Sequence, residues 1–165
     1  MTTKNFNQTL DIWIKALEQK SFAQICAKPA PDSWSLGQLY MHLIEATNHY
    51  LEQINICLTT HDNLTKEMSP EAKILFQNNE FPDEIIEGPP SNADTPQPDS
   101  IAALMHELLQ LKEDINHIGT LISKSPLQGK TKHPGLDYFN ASEWFQFAEM
   151  HFRHHLRQKK RIDTD

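Results

Sequence analysis

Apolar residues recur at three- and four-residue spacings over four stretches of the chain. In the first, 5–19, Phe6, Leu10, Ile14 and Leu17 share one helical face, with Asn5 or Asn7 as candidate cap. Pro29 and Pro31 bar a continuous helix beyond it. The second, 35–58, carries a broad stripe from Leu36, Leu39, Tyr40 and Leu43 to Ile54 and Leu58, entered through Ser33 or Ser35. The third starts at Asp99 or Ser100 and reaches 122, through Leu104, Leu108, Leu111, Ile115 and Ile118. The fourth starts at Asn140 or Ser142 and reaches 161, with Trp144, Phe145, Ala148, Phe152 and Leu156 as its core stripe. Asn140 and Glu143 have the spacing of a capping box.

Strand signals are thin: the chain has no valine and no sustained two-residue alternation. The pattern therefore predicts an all-α fold, a four-helix bundle forming a single domain over 1–165. A long irregular connection joins the second and third helices. Within it, Ser69-Pro70-Glu71-Ala72 reads as a cap followed by proline at the first helical position, giving a turn or two through Phe76. Six of the ten prolines fall between 60 and 99 and exclude long regular structure there. A connection of this length suits a lid or a cover for one end of the bundle.

Charge sharpens this division. Residues 60–99 hold nine acids and two bases, so the whole net charge of -7 belongs to the connection. An acidic chain is a poor match for nucleic-acid phosphate. The basic cluster Arg153, Arg157, Lys159, Lys160 and Arg161 complements the dipole at a helix C-terminus, with no groove-reading motif beside it. No nucleic-acid partner is expected. Mean hydropathy is -0.57, and no apolar run approaches the roughly 18 residues of a membrane span, so a soluble protein without a membrane partner is expected. The polar stretch 1–10 offers no secretory signal, and Cys26 and Cys57 make neither a disulfide framework nor a zinc ribbon. The expected location is cytoplasmic.

Candidate chemistry lies in the nine histidines. His151 and His155 stand one helical turn apart, separated by about 40° around the axis, on the ridge of Trp144 and Ala148. Two imidazoles so placed can share one ion, whereas burying both without a partner is costly. His154 lies on the same side, and spacing alone does not separate it from His155. A further ligand has to come from another helix. His42, beside Leu39 and Ala46, is the natural choice, and His49 shares its face. His106 and His117 alternate with charged residues and read as solvated, while His61 and His133 read as loop residues.

Two motifs resemble the DinB/YfiT-like superfamily. Trp34-Ser35-Leu36-Gly37-Gln38, followed by Met41-His42-Leu43, is similar to its helix-2 entry, W-[ST]-x-x-[QE]-x-x-x-H-[LIV]. His151-x-x-His154-His155-x-x-Gln158 is similar to its last helix, H-x-x-H-H-x-x-Q. The resemblance covers nearly the whole chain. It implies a four-helix bundle with one divalent ion, most often nickel or zinc, on His42, His151 and His155. It also implies a homodimer. His133-Pro134-Gly135-Leu136 resembles an H-P-x-x-G segment of some relatives, but Gly135 comes one residue early and no role is carried over.

Three neutral imidazoles leave a divalent ion with positive charge and an open position, suited to activating water or binding a thiolate or carbonyl oxygen. Relatives include transferases of low-molecular-weight thiols and proteins assigned as hydrolases. The expected function is therefore a metal-dependent enzyme acting on a small molecule, by thiol transfer or hydrolysis. Glu45, one turn after His42, is the candidate general base; a solvated surface acid is the plain alternative. His49 and His154 are candidate proton carriers or groups that orient a ligand. The other function class is a non-catalytic, metal-stabilised bundle serving as a binding or stress-response module. In that case a fourth ligand, His49 or Glu45, would close the site.

Overall fold

The computed structural model describes residues 3–83, 94–125 and 128–164. These form six helices and one small hairpin: α1 (Thr3–Glu18), α2 (Phe22–Cys26), α3 (Leu36–Thr59), α4 (Pro70–Asn78), α5 (Ile101–Lys124), β1 (Thr131–His133), β2 (Asp137–Phe139) and α6 (Ala141–Thr164). The four long helices are those the apolar spacing predicts. They pack in a cycle: α1 against α5 and α6, and α3 against the same two. Their stripes meet in one core, where Phe6 lies edge-on to Phe145 and Phe152, at centroid distances of 5.3 and 6.0 Å. Trp13 meets Tyr40 at 5.2 Å, and the Tyr40 hydroxyl donates to the Trp13 carbonyl over 2.6 Å.

Helix entries follow the capping residues. Ser35 Oγ accepts from the Gln38 N–H at 3.1 Å, and Gln38 Oε1 accepts from the Ser35 N–H at 2.9 Å, a closed capping box at the start of α3. Asn140 and Glu143 make the same reciprocal pair before α6, at 2.8 and 2.9 Å. Ser69 caps α4, with Pro70 at its first position. The expected cap role of Asn5 or Asn7 is not realised, because α1 already begins at Thr3. Asn7 instead faces α5, where its amide and that of Asn116 exchange hydrogen bonds of 2.8 and 3.2 Å.

Two elements lie outside the apolar pattern. Helix α2 has five residues, too few for periodicity to register, and it rests on a capping box between Ser21 and Gln24. The β1–β2 hairpin pairs Thr131 with Phe139 and His133 with Asp137. Its short turn places Asp137 at φ 66°, a left-handed conformation that aspartate tolerates. The hairpin is fastened on both sides. Trp144 Nε1 donates to Thr131 Oγ1 at 2.7 Å, and the Ser69 N–H donates to the Leu136 carbonyl at 2.9 Å. His133, expected in a loop, is therefore a strand residue beside α6.

The described end of the long connection is strapped to the start of α3. Gln38 Nε2 donates to the Thr95 carbonyl at 2.8 Å, and Ser35 Oγ donates to Gln97 Oε1 at 2.7 Å. Pro98 is buried against Gly37, where an added Cβ would stand 2.8 Å from its Cδ. Residues 84–93, which include the first part of the Gly88–Pro98 run, lie outside the described residues. No helix among the described residues is long and apolar enough to cross a membrane.

Ser35 thus holds both the α3 cap and the strap. Ser35→Ala is expected to destabilise the protein by about 1–2 kcal/mol, read as a lower urea midpoint at unchanged slope.

Candidate metal centre

Helices α3 and α6 bring three imidazoles together. His42 lies on the second turn of α3, and His151 and His155 lie one turn apart in the middle of α6. The Nε2 atoms of His42 and His155 stand 3.2 and 3.1 Å from Nε2 of His151. The ligand atoms of all three lie within 4.8 Å of one another. The surroundings are aromatic. The Trp34 ring lies over His42 at 5.0 Å, and Tyr50 and Phe81 present edges to His151 at 5.7 and 6.4 Å. His151 is buried and the other two are half-buried.

Burial disfavours charge on these rings. It lowers the pKa of His42 and of His155 to about 4. His151 is pushed well below the ordinary histidine value, first by burial and then by its neighbours His155 and His42. The rings are therefore neutral at pH 7, and each holds one nitrogen lone pair. His155 Nδ1 faces Gln158 Oε1 at 2.9 Å. An amide oxygen only accepts, so Nδ1 carries the proton and the Nε2 lone pair points to the cluster. Hydrogen bonds cannot satisfy this convergence: with His155 Nε2 an acceptor, a His151 Nε2–H can serve it but leaves none for His42, and a His151 lone pair would face the lone pair of His155. His151 Nδ1 is also buried without a partner among the described residues.

A divalent cation fits this donor set. It would accept all three lone pairs at once, and the two separations to His151, 3.2 and 3.1 Å, are close to the roughly 3.3 Å between neighbouring ligands of a tetrahedral zinc. The residues that could hold an ion are thus His42, His151 and His155, the same three that the family resemblance implies. His154, which spacing could not separate from His155, points elsewhere. Its ring packs edge-on to Phe81 at 5.3 Å, and its Nδ1 is buried without a partner among the described residues. Neither it nor Glu45 nor His49 joins the cluster.

His42 opens on a cleft of about 470 Å³. Glu45, His49 and Tyr50 line it from α3, Asp94, Thr95 and Pro96 from the end of the long connection, and His133 and Pro134 from the hairpin. Glu45 and His49 are exposed side chains. His106 and His117 are exposed on α5, as expected, and Cys57 is buried with its thiol on the Phe139 carbonyl at 3.6 Å. His133 is the wall residue that the apolar pattern missed. Its Nδ1 accepts from the Gly135 N–H at 3.1 Å, and burial followed by nearby His49 lowers its pKa to about 4. The one signal for it was the His133-Pro134-Gly135 run, which reads as a turn.

A mostly helical protein with three converging imidazoles beside an open cleft belongs to the class of helical proteins with a candidate metal site. The family model of the DinB superfamily matches residues 5–158, and the chain belongs to that superfamily. No curated protein matches the chain.

The lowered histidine values set a pH dependence for metal-free protein. Between about pH 6.5 and pH 4 the unfolded chain takes up protons on His42, His151 and His155 that the folded chain refuses, so stability falls as pH falls through this window. The urea midpoint is expected to drop across it, with a shallower slope in His151→Phe.

Proposed function

We propose that the chain is a metal-dependent enzyme acting on a small molecule, with His42, His151 and His155 holding one nickel or zinc ion. The cycle of long helices is read as a four-helix bundle that presents this site at the α3–α6 seam. The carrying observation is the convergence of the Nε2 atoms of His42 and His155 on that of His151, at 3.2 and 3.1 Å, with His42 on the wall of a cleft large enough for a small substrate. When bound, the ion supplies Lewis acidity toward a water, a thiol or a carbonyl oxygen.

The chain's own groups do the rest. Gln158 fixes the tautomer of His155 and so the direction of its lone pair. Trp34 and Tyr50 pack on the rings and keep bulk water from that side. Glu45 and His49 line the cleft one and two turns beyond His42, where each can take a proton from a substrate thiol or water. His154, packed on Phe81 and absent from the cleft wall, serves the fold instead. Thiol transfer and hydrolysis both use this arrangement. The non-catalytic alternative requires a fourth protein ligand, and the cluster among the described residues has three members, which favours the catalytic reading.

Elemental analysis of chelator-free, untagged protein tests the ligand set. About one ion per chain is expected in the native protein and in His154→Ala, and almost none in His42→Ala, His151→Ala or His155→Ala. Retention in His155→Ala together with loss in His154→Ala would overturn the assignment.

A further inference from the structure

The cleft beside His42 has a one-sided charge. Its wall includes the carboxylates Glu45 and Asp94. An adjoining cleft between α3 and α5 shares Glu45 and His49 and adds Glu52 and Glu107. None of the fifteen lysines and arginines lines either one. Glu45, Glu52, Asp94 and Glu107 make no ion pair or hydrogen bond among the described residues, so no neighbouring cation offsets them. The other side of the cleft is the face of His42, where the centre offers three lone pairs to a cation.

We infer that the cleft selects a small molecule whose reacting end meets the three-histidine centre and whose far end carries a positive charge, an ammonium or similar group. The inference rests on the metal-centred reading above and narrows its substrate class. A cleft walled by one sign of charge concentrates ligands of the opposite sign and repels those of the same sign. A phosphate or carboxylate at the far end would meet Glu45 and Asp94 with no lysine or arginine to receive it. An ammonium would find carboxylates on the same wall, to which Tyr50 adds an aromatic ring. The selecting carboxylates are exposed, so added salt weakens the preference.

Three thiols of similar length test this on zinc-loaded protein by titration calorimetry: thiocholine, 2-mercaptoethanol and 3-mercaptopropionate. The quaternary nitrogen of thiocholine cannot coordinate the metal, so its charge acts only through the cleft. At low salt, thiocholine is expected to bind tightest and 3-mercaptopropionate weakest, with about tenfold or more between them. Asp94→Asn, or high salt, should shrink that ratio several-fold, with the uncharged 2-mercaptoethanol measured on the same protein as the reference. Equal or tighter binding of 3-mercaptopropionate overturns the inference, as does failure of thiocholine to bind protein that holds one zinc per chain. Protein that takes up no zinc fails the underlying reading, and the inference with it.

Discussion

Three neutral imidazoles held nitrogen to nitrogen, half-buried or buried, are the constraint around which this molecule is arranged. Each unsatisfied buried polar atom costs roughly 1–3 kcal/mol, and the cluster leaves lone pairs that its own hydrogen bonds cannot absorb. The seam between α3 and α6 is nevertheless the most extensive helix contact in the fold. Trp34, Tyr50 and Phe81 close around the rings, and Gln158 orients one of them. A cation that took all three lone pairs would turn this costly arrangement into a stabilising one, because its binding free energy would add to that of folding.

The rest of the structure keeps the two helices in register at that point. The capping box at Ser35 and Gln38 starts α3 seven residues before His42, and the one at Asn140 and Glu143 starts α6 eleven residues before His151. Gln38 has a second task, since its amide nitrogen also holds Thr95 of the long connection. A glutamate there would keep the cap and lose the strap. On the far side, Glu149 on α6 is buried and accepts from Thr9 of α1 at 3.0 Å and from Arg153. That pairing fixes the rotation of α6, with His151 two residues further along it.

How much of this could be read in advance depended on the signal each part leaves. The long helices show in the spacing of Leu104 to Ile118 or Leu36 to Leu58 because burial of one face imposes that spacing. The pair His151 and His155 shows because i and i+4 share a face. Its choice over His154 came through the family resemblance; in the structure the His154 ring packs on Phe81 and stays out of the three-histidine cluster. His133 left no such trace. Its strand has three residues, too short for alternation, and its role depends on hydrogen bonds from Trp144 and Ser69 far along the chain. The cleft wall from Asp94 to Pro96 was equally hidden, because its position follows from the partners of Gln38 rather than from any local pattern.

The central claim is that His42, His151 and His155 together bind one divalent ion through nitrogen. X-ray absorption at the zinc edge, on protein loaded with one zinc per chain, tests it most directly. The account predicts three imidazole nitrogens at about 2.0–2.1 Å with oxygen completing the shell, and loss of imidazole scattering in His155→Ala. A sulfur ligand, or a shell with fewer than three imidazoles in the native protein, would contradict it.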